Sequence, residues 1–191
     1  MPAKHHLRVT AGSLKGRKLV SPEWDGLRPT SDRLRQTLFN VLSGHVAGAR
    51  MLDAYAGTGA VGIEALSRGA VHVTFLERDP RAIELITENL TRCGVRDGYT
   101  ILRSDAMKSG QSALAPTFDL VFVDPPYASA PDAAASVVAG AVAHGGRLVL
   151  EHAMRTAAPA QLADLVCTRT LTAGDSALSF YTHESRDDEP A

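Results

Sequence analysis

The chain has 191 residues, 45% of them hydrophobic, with two cysteines and a formal net charge of −1. That length and composition fit one globular domain with a small appendage, and they exclude a disulfide scaffold and a low-complexity chain. The near-neutral total hides an asymmetry, +5 over residues 1–40 and −6 over the rest, which suggests a polyanion contacted at one end.

In chain order, His5-His6 is expected to be a solvated terminal pair. Leu7–Thr10 and Arg17–Val20 read as two short strands around Gly12 and Gly16, a basic hairpin. Trp24 to Pro29 is a linker. Thr30 or Ser31 caps a helix running to about Ser43, with Leu34, Leu38, Val41 and Leu42 at helical spacing. Strands and helices then alternate: strand Met51–Tyr55, helix Ala60–Arg68, strand Val71–Glu77, and helix Pro80–Cys93 capped by Asp79. Strand Tyr99–Arg103, a short helix after Ser104, strand Asp119–Asp124, a helix near Asp132–Ala143 and strand Arg147–Glu151 follow. The chain closes with a helix around Ala158–Leu165 and strands Val166–Leu171 and Ala177–Thr182, joined at Ala173-Gly174-Asp175. Repeated β-α-β units predict an α/β fold, a mostly parallel sheet with helices on both faces and an antiparallel closing pair. No apolar run approaches the roughly 18 residues of a membrane span, and no signal-peptide pattern opens the chain. Cys93 and Cys167 read as packing residues in a reducing cytosol, and no metal site is expected.

Asp124-Pro125-Pro126-Tyr127 closes the apolar strand Asp119–Val123. Each proline fixes φ and lacks an N–H, so the corner is stiff and its carbonyls are left free to accept. A carboxylate and those carbonyls suit a planar exocyclic amino group, and the Tyr127 ring offers a surface on which a heterocycle stacks. A rigid surface turn is the plainer reading of the same tetrapeptide.

Gly57-Thr58-Gly59-Ala60-Val61-Gly62 satisfies G-x-G-x-x-G between a strand and a helix, with Glu77 ending the next strand. Alone this spacing fits a dinucleotide fingerprint and an NAD(P)-dependent enzyme, or simply tight helix–strand packing. Asp53 weighs against a dinucleotide, because a carboxylate at the mouth of the loop repels a pyrophosphate. It suits instead the ammonium end of S-adenosylmethionine, with Glu77 on the ribose and Ser104-Asp105-Ala106 near the adenine amine. The cofactor-binding set is then Asp53, Ala54, Gly57, Thr58, Gly59, Glu77, Arg78, Ser104, Asp105 and Ala106.

These motifs resemble those of class I S-adenosylmethionine-dependent methyltransferases that act on amino groups, within which the chain is similar to the bacterial 16S rRNA (guanine(966)-N(2))-methyltransferases. The similarity runs from about Arg8 to Tyr181 and is most specific outside the cofactor loop. Arg8-Val9-Thr10-Ala11-Gly12, Lys15-Gly16-Arg17-Lys18-Leu19 and Leu27 to Asn40 follow R-I-I-A-G, G-R-K-L and L-R-P-T-x-D-R-x-R-E-x-L-F-N. Gln36 stands where Glu is usual and Tyr55 where Phe is usual. The resemblance implies a seven-stranded Rossmann-like sheet of order 3-2-1-4-5-7-6, cofactor over strands 1 and 2, and a flipped guanine near strand 4. It also implies methyl transfer to N2 of that guanine in the small ribosomal subunit, by a monomer.

On this reading Asp124 and the Pro125 carbonyl hold the guanine N2 amine, Pro126 stiffens the corner and Tyr127 stacks on the base. Arg28, Thr30 and Arg33 line the rim, while Arg8, Lys15, Arg17 and Lys18 grip RNA phosphates. Arg33 and Arg35 read equally well as helix-surface charges. Asn40 and Phe39 are expected to border the cofactor, and Trp24 to stack on RNA or anchor the linker. The domain division is a basic hairpin over 1–27, the methyltransferase domain over 28–183 and a disordered acidic tail over 184–191. Open alternatives are adenine N6, cytosine N4 or a protein glutamine as acceptor, and a non-catalytic ribosome-assembly factor.

Overall fold

In the computed structural model, strands β1 (Arg50–Ala54), β2 (His72–Glu77), β3 (Tyr99–Arg103), β4 (Phe118–Val123) and β5 (Val142–Ala153) pair in parallel. Strands β6 (Gln161–Leu162), β7 (Leu165–Ala173) and β8 (Ser176–His183) complete one sheet of order β3-β2-β1-β4-β5-β8-β7-β6. Helices α1 (Asp32–Val41), α2 (Ala60–Ser67), α3 (Pro80–Cys93) and α4 (Pro131–Ala139) pack on it. The structure describes residues 7–22, 24, 30–105, 118–126 and 131–184. Arg28, Ala106, Tyr127, the short helix expected after Ser104 and the tail from residue 185 lie outside the described residues.

The central strands read as apolar runs because both sheet faces are covered. Met51, Phe75, Leu120, Phe122 and Val149 enter a core shared with α1, α2, α3 and the hairpin. Leu52, Leu76, Val121, Val123 and Leu150 enter a second core with α4 and Tyr181. The expected order 3-2-1-4-5-7-6 is present, its last two strands being β7 and β8 here, with β6 added at the edge.

That added strand corrects one expectation. No helix spans Ala158–Leu165; Gln161–Leu162 turns back to pair antiparallel with Leu165–Val166. Ala163 has φ 53°, its carbonyl accepts from Gln161 Nε2 at 2.8 Å, and the Pro159 carbonyl accepts from the Tyr181 hydroxyl at 2.9 Å. The reversal buries Leu162 and Leu165 together, which outweighs the helix propensity of the alanines. Helix α4 likewise ends at Ala139, short of the expected Ala143, because β5 starts at Val142 opposite Phe118.

The hairpin is reduced to a single antiparallel bridge, Arg8 with Lys18, flanked by Val9 N–H to Arg17 O at 2.9 Å and Leu19 N–H to Leu7 O at 2.8 Å. Alternation sends Leu7, Val9 and Leu19 into the core and leaves Arg8, Arg17 and Lys18 exposed. Its turn docks on α2. The wholly buried Glu64 carboxylate accepts from Thr10 N–H (2.8 Å), the Thr10 hydroxyl (2.7 Å) and Ala11 N–H (3.0 Å). Gly12, at φ +80°, passes so close that a Cβ there would lie 1.9 Å from the Ser67 carbonyl oxygen. The Asn89 side chain fixes the exit of the hairpin, accepting from Val20 N–H at 2.7 Å.

Helix α1 starts where the Ser31 hydroxyl accepts from Leu34 N–H at 3.2 Å. Helix α3 starts at Asp79, whose carboxylate accepts from Arg81 N–H at 2.9 Å, and ends at Gly94 with φ 72°. These caps set where each helix meets the carboxyl edge of the sheet.

Candidate active site

Side chains alternate along a strand, so residues two apart share a face. Asp53, Glu77, Asp124 and Glu151 lie two residues beyond Met51, Phe75, Phe122 and Val149, all of which point into the hairpin-side core. The register pairs Asp53 with Phe122, Ala54 with Val123 and Val123 with Leu150. Four acids therefore lie at or near the carboxyl ends of the adjacent strands β2, β1, β4 and β5 on one face, at the edge where ligands of such sheets bind.

The glycine loop is built around two of them. Asp53 is buried, and its Oδ2 accepts from Gly62 N–H at 2.9 Å. Burial pushes its carboxyl up to about 8; the Gly62 N–H offsets part of this and the Glu77 charge adds to it. Glu77 Oε2 accepts from Gly57 N–H at 2.9 Å, and its Oε1 accepts from Arg78 and Asp79 N–H at 2.8 and 2.9 Å. Gly57 and Gly59 have φ 56° and 73°. Gly62 sits so close to β2 that a Cβ would meet Phe75 Cε1 at 2.3 Å. Thr58 is buried and its carbonyl accepts from Asn89 Nδ2 at 2.9 Å. The glycine pattern thus serves helix–strand packing and lets the loop N–H groups reach the Asp53 and Glu77 carboxylates.

Beyond Glu77, Arg78 Nη1 pairs with Asp105 Oδ2 at 3.3 Å, and Ser104 N–H donates to the Glu77 carbonyl at 3.1 Å. Tyr55, next to Ala54, takes φ 61°, a backbone region that costs a bulky residue energy. Burial, then Asp105, raise its phenol above the ordinary range, and its hydroxyl has no hydrogen-bond partner among the described residues.

Asp124 follows β4, its N–H donating to the Ala54 carbonyl at 3.4 Å. Its carboxylate faces Glu151 and Asp53 and is hydrogen-bonded by the Thr30 hydroxyl. Burial, then the charges of Glu151 and Asp53, hold its carboxyl well above the usual range, while Thr30 pulls the other way. Pro125 is buried and Pro126 exposed. The structure therefore brings Asp53, Asp124 and Thr30 together, with the glycine loop and Glu77 alongside and Asp105 one strand further out.

Glu151 was not singled out from the sequence, although the signal was available: it ends the apolar run Leu148-Val149-Leu150 as Asp124 ends its own. Arg35, which reads from the sequence as a helix-surface charge, is fully buried, whereas Arg33 is exposed. Phe39, expected beside the cofactor, is a core residue under the Arg68 guanidinium at 4.8 Å, and Asn40 is exposed. Trp24 lies under the Arg81 guanidinium at 5.1 Å. Arg8, Lys15, Arg17, Lys18 and Arg33 are exposed, with Arg8 Nε 3.6 Å from Asp32 Oδ2. A cavity of about 320 Å³ lined by His45, Gly48, Asp119, Gly145 and Arg147 opens at the opposite, amino edge and contains none of the four acids.

The family model described as "Conserved hypothetical protein 95" matches residues 7–182. The chain is 34% identical over 180 residues to "Putative rRNA methyltransferase YlbH" of Bacillus subtilis, covering 92% of this chain and 98% of that protein. It is 43% identical over 129 residues to "Ribosomal RNA small subunit methyltransferase D" of Haemophilus influenzae, an alignment spanning 65% of this chain and 66% of that protein. Among solved structures it is similar to "Putative methyltransferase yhhF from Escherichia coli", with TM-score 0.79 and 33% identity, covering 95% of this chain and 99% of that one. With the match running over nearly its whole length, the chain belongs to the conserved hypothetical protein 95 family and has the Rossmann-like fold of its methyltransferase relatives.

Proposed function

We propose that this protein transfers a methyl group from S-adenosylmethionine to the exocyclic N2 of a guanine in 16S ribosomal RNA of the small subunit. One observation carries the reading most: the Asp124 carboxylate, opening a diproline corner, stands beside Asp53, in a chain related over its length to a protein named "Putative rRNA methyltransferase YlbH".

The donor set fits the cofactor. Asp53 is an acid that burial drives toward protonation, so a cationic ligand restores the charge that burial suppresses, whereas a pyrophosphate does not. When bound, S-adenosylmethionine supplies a methyl group on a positively charged sulfur. Asp53 and the Gly57–Gly59 loop face its amino-acid end, Glu77 its ribose, and Ser104, Asp105 and Ala106 its adenine, with Ala54 and Arg78 beside them.

The guanine N2 lone pair is delocalised into the ring and is a poor nucleophile. Hydrogen bonds from its two N–H groups to Asp124 and the Pro125 carbonyl localise that pair and orient it. The proton becomes acidic only after methylation and leaves to Asp124 or to solvent. Tyr127 stacks on the extruded base, offsetting the few kcal/mol of unstacking. Arg28, Thr30 and Arg33 form the rim, and the hairpin of residues 1–27, through Arg8, Lys15, Arg17 and Lys18, grips phosphates and gives salt-dependent affinity.

The test is incubation with labelled methyl donor and small subunits from cells lacking this protein, followed by mapping of the modified nucleotide. A single N2-methylguanine in 16S RNA is expected. Label on adenine N6, cytosine N4 or protein, or none with the donor bound, overturns the proposal.

A further inference from the structure

Arg35 lies on the buried stripe of α1 with no exposed surface. Its Nη2 donates to the Arg8 carbonyl at 2.6 Å and to Asp32 Oδ1 at 2.7 Å, and its Nη1 donates to the Thr30 carbonyl at 3.0 Å. Three segments therefore meet on one planar fork: the first strand of the basic hairpin, the residue whose hydroxyl bonds Asp124, and the start of α1. Asp32 closes the circuit at Arg8 Nε, 3.6 Å away. A buried guanidinium is costly to desolvate, and this one is held by Asp32, by the Thr30 carbonyl before α1 and by the Arg8 carbonyl of the hairpin.

Among the described residues, the groups facing the Asp124 carboxylate are Asp53 from β1, Glu151 from β5 and Thr30 from the residues before α1. The two acids oppose its ionisation; the Thr30 hydroxyl favours it. Only an ionised carboxylate accepts from an amine without offering a proton of its own, and the Thr30 hydroxyl acts toward that state against burial and the two acids. Thr30 is the second residue before α1, so its backbone needs an anchor.

We propose that Arg35 is a positioning residue: by holding the Thr30 and Arg8 carbonyls on one guanidinium, it fixes the Thr30 hydroxyl on Asp124 and ties the basic hairpin to the active-site rim. This inference rests on the amine-acceptor role of Asp124 for its functional meaning, but its test needs no methyl transfer, so the two fail separately.

The experiment is a titration of the Asp124 side-chain carboxyl by 13C NMR in the full chain, comparing wild type, Thr30→Val, Arg35→Lys and the double variant. Lysine keeps the charge and loses the fork, so any shift reports geometry rather than net charge. Thr30→Val is expected to raise the midpoint, Arg35→Lys to raise it comparably, and the double variant to raise it no further. If Arg35→Lys leaves the midpoint at its wild-type value, or the double variant shows the sum of the single shifts, the proposal is overturned. Should Arg35→Lys fold poorly, Asp32→Asn decides by sign. Removing a negative charge alone lowers the Asp124 midpoint or leaves it unmoved, which counts against the proposal, whereas loosening the hold of Arg35 on Thr30 raises it.

Discussion

Asp124 and Glu151 stand side by side, one register step past the Val123–Leu150 pair of β4 and β5. The Glu151 charge opposes ionisation of Asp124. If Asp124 must be ionised to accept an amine, activity falls as pH drops through its raised pKa. Glu151→Gln removes one opposing charge, so the acid limb of the kcat–pH profile should move to lower pH. A limb that stays or moves upward means Glu151 does not bear on Asp124.

Asp124→Asn keeps the size of the side chain and turns one acceptor oxygen into a donor. Turnover should drop by at least about 100-fold, in the range of a lost proton-handling group. Affinity for S-adenosylmethionine, read by calorimetry, should stay within a few-fold. Equal loss of both would assign Asp124 to the cofactor instead.

Asp53 carries the clearest link between charge and stability. Its folded carboxyl titrates near 8, far above an unfolded aspartate. The folded state therefore binds more protons, and stability should fall progressively as pH rises from about 4 to about 8, then level off. Asp53→Asn keeps an oxygen for the Gly62 N–H and should flatten that slope in denaturant titrations run without ligand. A slope unchanged by the substitution would show that the pH dependence arises elsewhere. By the same linkage, binding of S-adenosylmethionine at pH 7 should release protons, visible as a buffer-dependent calorimetric enthalpy.

Gly62→Ala places a methyl 2.3 Å from Phe75 Cε1. Overpacking of this kind costs about 1–3 kcal/mol. The melting temperature should drop accordingly, and an unchanged value would mean that α2 can shift outward on β2 at little cost.

The hairpin should be tested by charge rather than by deletion. Removing it would strip Leu7, Val9 and Leu19 from the core and leave buried Glu64 without its hairpin partners. Replacing Lys15, Arg17 and Lys18 with alanine spares those contacts, since all three are exposed. RNA affinity should weaken, with a log–log salt slope shallower by about 2 and unchanged cofactor binding. Unaltered RNA affinity would place the phosphate grip elsewhere.

Much of this was legible in the sequence because the signals were local. An apolar run closed by Asp-Pro-Pro, and a glycine loop with an acid at the end of the next strand, are written within short stretches of chain and survive any tertiary context. Arg35 was misread because a charged residue on a helix is usually solvated. Its spacing from Leu38 and Phe39 put it on the buried stripe, but nothing local said which carbonyls would receive it. Ala158–Leu165 failed for the opposite reason: local propensity favoured a helix, and the pairing that overrides it is set by β7 and Tyr181.

The clasp between the hairpin and helix α2 has a practical corollary for chimeras. A glycine pressed on the Ser67 carbonyl, an interior glutamate and the Asn89 amide mean that residues 7–20 are not a cassette to be swapped between relatives alone. Transplanting the arm demands that positions 64, 67 and 89 travel with it, and exchanges that ignore them will report misfolding as altered RNA preference.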